Sequence, residues 1–363
     1  MRKVLFIFLI LLPFGITLAQ ENQEQNHHSF FHFNIFDYKY YFGDDSYIPN
    51  TTHNLTLNLS IDVTKNQYGL IVGTLWNMAE NNAYGVQISI LGNYVRNQGK
   101  GLAIAGLMNI YESHTGVQIG GYSYAEKMKG LQLGLANNSV DMQGAQIGFV
   151  NGVDTAHTVR GVQIGLVNMS KSGFQIGLCN VSEKNQYPLG LINIIKNGEM
   201  NVGLAYDEIG NVTAQFRSGS QYLYGIIGFG YNVKSPSGHI LLQGGIGAHL
   251  NLSSRLRIDT ELSAKHITRT FLYSGDKDDE EYKRKVKEFE FKALTKYSLG
   301  ILPSYRLSEK IELFGGPTLS YLQTKTLENE RLFPSRFIWR SFTSTSLKQL
   351  YIGYSVGLKY ILK

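Results

Sequence analysis

The chemistry available to this chain starts with nine histidines and one cysteine, and few of them fall into a pattern. His27, His28 and His32 form the run HHSFFH. Imidazoles at such spacing can bind a metal ion, but no acid or thiol follows nearby in the sequence, so no metal ligand is assigned. His249 lies on an alternating segment near Ser253, and His266 lies beside a long loop. A histidine and a serine at a barrel rim could supply the base and nucleophile of a lipid or peptide hydrolase. Neither histidine sits in a recognisable motif, so no catalytic residue is assigned. The acidic run DKDDEE at 276–281 has calcium-ligand chemistry but reads as a solvated loop. Cys179 sits inside a repeated phrase and reads as a small apolar filler. No glycine-rich stretch follows a strand and opens a helix, so no nucleotide and no other cofactor is expected.

The elements around these residues explain more. The N-terminus, MRKVLFIFLILLPFGITLAQ, has a basic start, an apolar stretch and the small-x-small site Thr17-Leu18-Ala19. Residues 1–19 are expected to be a secretory signal peptide and 20–29 a short tail. A lone cysteine leaves an exported chain without an internal disulfide. Lys and Arg exceed Asp and Glu by six and are scattered, which argues against a nucleic-acid partner.

With 39 Gly against 7 Pro and abundant Tyr and Phe, period-two alternation dominates and the chain reads as all-β. In RLRIDTELSAKHI (255–267), Leu256, Ile258, Thr260, Leu262 and Ala264 share one face. Arg255, Arg257, Asp259, Glu261 and Lys265 share the other. Segments 240–250, 297–306, 311–322 and 351–362 alternate likewise and exceed the ~5–6 residues of a soluble strand. Short and long connections alternate, as in outer-membrane barrels, whose charged faces line the lumen. Arg255, Arg257, Glu261, Lys265, Arg306 and Glu312 are expected to pair across it. The terminus SVGLKYIL resembles the last-strand assembly signal of such barrels, carried by Ser355, Gly357, Tyr360 and Leu362, with Lys363 departing from it.

Between these ends one phrase recurs, as in RGVQIGLVN and SGFQIGLCN, with leading glycines 12 to 17 residues apart. So short a period signals a repeat architecture. The phrase is short for a spanning strand, and its connectors do not alternate in length, which favours a parallel β-solenoid over one larger continuous antiparallel barrel. In a solenoid, Gln118, Gln132, Gln146, Gln163 and Gln175 would stack as amide ladders, each donating to the next coil. Asn137, Asn151, Asn168 and Asn180 would sit at corners. Val162, Ile164 and Leu166 would form the inner apolar stripe, and Gly165 and Gly177 would permit close approach. Met78, Ile110, Met169 and Val181, and also Met128, Met142 and Val159, are read as inward connector residues.

The reading is therefore two early barrel strands in 30–63, a repeat region over 64–198, and barrel strands over 199–363, about ten barrel strands in all. The tandem GxQIGLxN phrases, LGLINIIKNG (189–198), GNVTAQFRSGSQYLYGIIGFGYN and ELFGGPTLSY resemble the bacterial surface-repeat outer-membrane proteins common in Bacteroidetes, over roughly residues 60 to 325. The resemblance implies the outer membrane of a Gram-negative bacterium and supplies no catalytic motif. The expected role is a non-catalytic membrane protein whose repeats form an interaction or scaffolding surface; a transport channel and a barrel-rim hydrolase are the alternatives. The expected partners are outer-membrane lipid, the barrel-assembly machinery and an unknown protein or glycan ligand.

Overall fold

The structure, a computed structural model, describes residues 27–35, 51–154, 159–185, 187–234, 239–269, 280–281, 283–284 and 293–362. The expected signal peptide and most of the charged loop 271–288 lie outside the described residues. The chain divides into two compact units, 1–153 and 154–363. Its fold is all-β: a parallel β-solenoid of about eight turns and a closed antiparallel barrel of eight strands.

In the first unit, successive phrases pair in parallel and in register. Asn77 lies beside Asn93 and Asn93 beside Asn109; Gly85, Gly101 and Gly116 line up in the same way. This pairing excludes one continuous antiparallel barrel. The leading glycine of each phrase has positive φ, from 117° to 137° for Gly101, Gly116, Gly130 and Gly144. A Cβ on Gly144 would lie 2.0 Å from the carbonyl oxygen of Gly130, so any side chain here would collide with the coil below. The middle glycine is also packed: a Cβ on Gly177 would meet the oxygen of Gly165 at 2.5 Å.

Two early segments assigned from sequence to the barrel belong to the solenoid. His27–Asn34 pairs in parallel with Thr51–Asn58, which pairs in parallel with the first full phrase. Their alternation matches barrel strands because a coil face has the same period of two. The barrel therefore has eight strands, not about ten.

The interior of the solenoid is the reverse of the expected apolar stripe. Gln118, Gln132, Gln146, Gln163 and Gln175 are wholly buried, as are Asn151, Asn168 and Asn180, with Asn137 nearly so. Ile164 and Leu166 point outward and are exposed, and Val162 is half-buried. Alternation allows only one of the two sets inside, and the amides win because each coil satisfies them from its neighbour. The asparagines are buried just past the bends, as Asn168 is in the strand Val167–Ser170 after the bend at 165–166. Met128, Met142 and Val159 are inward as expected. Met169 is exposed and Met78, Ile110 and Val181 are only half-buried, because each follows an inward residue along a strand.

The barrel strands are Glu199–Asp207, Asn211–Gly219, Leu223–Asn232, His239–Asn251, Leu256–Arg269, Leu294–Arg306, Ile311–Thr324 and Leu347–Ile361. Each pairs antiparallel with the next, and the last pairs with the first to close the ring, Leu358 opposite Leu204. The short strand Trp339–Phe342 attaches only to the last strand. One end carries the tight turns around 220–222, 252–255 and 307–310, and the other carries the long connections.

Candidate functional site: a filled lumen and a two-ladder core

Inward positions of the barrel carry acidic or basic side chains on most strands. An eight-stranded barrel is just wide enough for side chains to fill it. At the short-turn end, Arg257 holds Glu199 through two hydrogen bonds of 2.9 and 3.0 Å and reaches Glu312 at 2.8 Å. Asp259 accepts from Ser304 Oγ at 2.7 Å and from Lys359, and lies 2.6 Å from His249 Nδ1. Midway, Arg217 Nε donates to Glu261 at 2.8 Å, and the Tyr224 hydroxyl donates to the same carboxylate at 2.9 Å. The Arg217 guanidinium also lies 4.9 Å from the Phe314 ring centre. Further along, Asp207 takes Lys265 at 2.8 Å and Lys296 at 3.1 Å, and Lys296 also reaches Glu208 at 2.6 Å. The far end is closed by an apolar cluster of Ile209, Leu241, Ile267, Leu294, Leu322, Leu347 and Tyr351 with Leu332 and Phe333 of the connecting segment.

Of the expected lumen residues, Arg257, Glu261, Lys265 and Glu312 are buried in this network. Arg306 sits at its margin, 3.8 Å from Glu199. Arg255 is exposed at the rim. Sequence reasoning did not single out Asp207, Glu208, Arg217, Lys296 or Lys359 as partners. The signal was available in part: Lys359 stands at an inward position of an alternating strand, and a charge there must be paired.

A polar vestibule of about 310 Å³ opens at the short-turn end, lined by Glu199, His249, Ser253, Arg255, Arg257 and Glu312 among others. His249 stacks on Tyr224, ring centres 4.2 Å apart, while its Nδ1 faces Asp259. Ser253 is occupied as a turn residue: its Oγ accepts the backbone N–H groups of Arg255 and Leu256. Ser304 donates to Asp259 rather than to the imidazole. Serine, histidine and aspartate are thus close together without the serine–histidine bond that nucleophile activation uses. His266 faces outward and is exposed, 3.2 Å from Thr295 Oγ1. His32 stacks on His53 at 4.2 Å and lies 3.6 Å from Asp62, an acid that its own local sequence does not supply. Among the described residues, no group of three or more metal-ligating side chains is assembled.

The solenoid interior is a second polar array. Gln132 donates to Gln118 at 2.8 Å, Gln146 to Gln132 at 2.8 Å and Gln175 to Gln163 at 2.9 Å. Each glutamine therefore donates to the preceding coil, not the next. The asparagines run the other way: Asn77 to Asn93, Asn93 to Asn109, Asn137 to Asn151, Asn168 to Asn180 and Asn180 to Asn193, all at 2.8–2.9 Å. Each of five asparagines (Asn77, Asn93, Asn109, Asn137 and Asn168) also donates to the carbonyl of an isoleucine in the next phrase, as Asn137 does to Ile147 at 3.0 Å. The glutamine column is broken at Ala103, which lies in register with Gln87 and Gln118. There the hydroxyl of buried Tyr111 reaches Gln87. His114 packs edge-on to Tyr111 and is buried, and burial pulls its imidazole down to about 4.

The assembly-signal residues lie on the closing strand. Tyr360 and Leu362 point outward and are exposed, whereas Ser355 and Gly357 are on the inward side. The Leu362 N–H donates to the Met200 carbonyl at 2.8 Å, so the strand end is tied to the first strand.

No family model and no curated protein matches the chain. Among solved structures, the solution NMR structure of the de novo designed TMB2.3 is similar at 14% identity and a TM-score of 0.25, over 46% of this chain and 95% of that one. A second structure, from the de novo design of transmembrane β-barrels, is similar at 16% identity and a TM-score of 0.22, over 45% of this chain and 93% of that one.

Proposed function

We propose that the chain is a non-catalytic integral outer-membrane protein whose repeats form an interaction or scaffolding surface. The observation that carries this reading is the barrel's inversion: paired charges inside, uncharged apolar side chains outside. Ile352 is 70% exposed on the outward face, and Leu204, Phe229, Leu242, Leu262 and Ile301 are exposed there as well. Tyr297 and Tyr305 both point outward on one strand. Eight residues of strand span roughly 27 Å before tilt, which suits two aromatic girdles flanking an apolar band of about 25 Å.

The filled lumen supports a structural barrel over a transport channel, and the arrangement around His249 supports a structural histidine over a hydrolase. In this reading the terminal strand engages the barrel-assembly machinery, and the chain reaches the outer membrane after signal-peptide export. With the last strand ending in the periplasm, Met200 beside it begins on that side, so the repeats join the barrel from the periplasm. The ligand is an unidentified protein or glycan. Single-channel recording of the full protein in planar bilayers tests the reading: no steady conductance is expected, and ohmic openings of porin size would replace it with the channel.

A further inference from the structure

The solenoid segregates charge more sharply than a water-soluble coil needs. Eight runs, 69–79, 85–95, 101–111, 116–125, 130–140, 144–153, 161–170 and 173–182, contain no Asp, Glu, Lys or Arg. Each ends immediately before a charged residue: Glu80, Arg96, Glu112, Glu126, Asp141, Asp154, Lys171 and Glu183. In the second unit such a run forms two strand sides, Val159–Ile164 and Val167–Ser170, with the bend at 165–166 between them; the connector that follows forms the third. Outward on the sides and at the corner between them stand exposed apolar residues in both units: Ile90, Leu107, Leu135 (59% exposed), Phe149, Leu166, Phe174 and Leu178. Inward on the same sides are the buried amides. A soluble solenoid would reverse this, because its outward residues meet water.

The second unit shows where such a surface leads. Its last coil, Pro188–Ile195, rests on the outward wall of the barrel. The Asn193 N–H donates to the Ser218 hydroxyl at 3.0 Å, and Ser218 is an outward position. A Cβ on outward Gly225 would lie 2.2 Å from the carbonyl oxygens of Gly190 and Leu191, so the wall is glycine where the coil sits. Ser218 and Gly225 face each other close to the tight turn at 220–222. The apolar sides of this coil are therefore continuous with the barrel surface that meets lipid.

We propose that the two apolar sides of the second unit's coils, over 161–195, lie in the acyl layer of the same bilayer, in the leaflet at the short-turn end of the barrel, with the charged connectors facing water. The occupant is lipid, because these apolar sides adjoin the spanning wall; a protein or glycan ligand would meet the charged connectors. The inference rests on the spanning barrel of the preceding section. In a Cys179→Ser background, cysteine would replace Leu166, Phe174 or Leu178 on the apolar sides, Lys171 or Lys184 on the third side, and Leu262 on the barrel wall. Each full-length variant would carry an NBD fluorophore in phosphatidylethanolamine–phosphatidylglycerol vesicles. Doxyl-labelled lipid is expected to quench the first three and Leu262 several-fold more than the third-side positions, which iodide should quench instead. Iodide quenching at Leu166, Phe174 and Leu178 with Leu262 still lipid-quenched would overturn the proposal and leave the barrel standing. Protection of those three from both quenchers would point to a protein partner and overturn it too. Loss of lipid quenching at Leu262 would refute the spanning barrel itself.

Discussion

The barrel and the solenoid both turn polar side chains inward and apolar ones outward, yet they satisfy the buried groups in different ways. In the barrel, each charge finds partners across the lumen on strands far apart in sequence, as Lys359 finds Asp259 and Lys265 finds Asp207. In the solenoid, each amide finds the same amide one coil away. Antiparallel closure leaves the residue types that face one another free to differ, as Glu312 and Lys359 do, so opposite charges can be matched. Parallel in-register stacking places like residues face to face, where charges would repel. Only a group that is donor and acceptor at once, such as a carboxamide, can repeat there. The contrast teaches that the pairing direction of the strands selects which polar chemistry a buried core can hold.

The comparison can be broken most severely at the closing strand. Changing Tyr360 and Leu362 to Asp puts charge on the outward face, and barrel assembly is expected to fail, leaving a protease-sensitive chain. A normal heat-modifiable band on electrophoresis of the double mutant would refute the outward assignment. Inside the lumen, Asp259→Ala leaves Lys359 and Arg257 short of an acid, and breaking such a buried pair costs about 3–5 kcal/mol. The fall should appear as a lower urea midpoint for unfolding from lipid vesicles. A midpoint unchanged from wild type would mean the lumen charges are water-screened.

In the solenoid, Gln132→Ala removes a donor to Gln118 and an acceptor for Gln146. Each group left unsatisfied costs about 1–3 kcal/mol, so amide hydrogen exchange over 116–147 should accelerate while the barrel stays protected. Equal acceleration in both would show that the two cores are one cooperative unit. The pH response differs as well. His114 is neutral in the fold, its imidazole held at about 4 by burial. The unfolded imidazole titrates near 6.5, so between those values the unfolded chain binds the extra proton. Stability present above about 6.5 is therefore lost as pH falls toward 4, roughly 2 kcal/mol between pH 7 and 5. Exchange around 99–118 measured at both pH values should show this loss, and His114→Gln should flatten it.

The smallest effect is expected from deleting one whole coil. Removing residues 161–172 joins the chain one period later, with Gln175 taking the register place of Gln163. Each repeat contacts only its neighbours, so the barrel should assemble as before. Failure of assembly would mean that the coils and the barrel fold as one unit.

Much of this was legible in the residues alone. A period of two with every charge on one face made strands of 255–267 and gathered their charges on a single side, because side chains alternate whatever the tertiary context. A phrase repeating at 12 to 17 residues made a stacked architecture of the middle, because equal units bury equal surfaces only by stacking. What the residues could not decide was which set of an alternating coil faces in. Val162-Gln163-Ile164 is consistent with either choice, and the answer depends on whether the neighbouring coil brings a matching amide and on what lies outside. Nor could they separate the early segments 27–34 and 51–58 from barrel strands, since both geometries show the same alternation and differ only in partner. The pairs across the lumen, such as Arg217 with Glu261, were fixed by closure of the ring, which sets two strands opposite each other that are 44 residues apart in the chain.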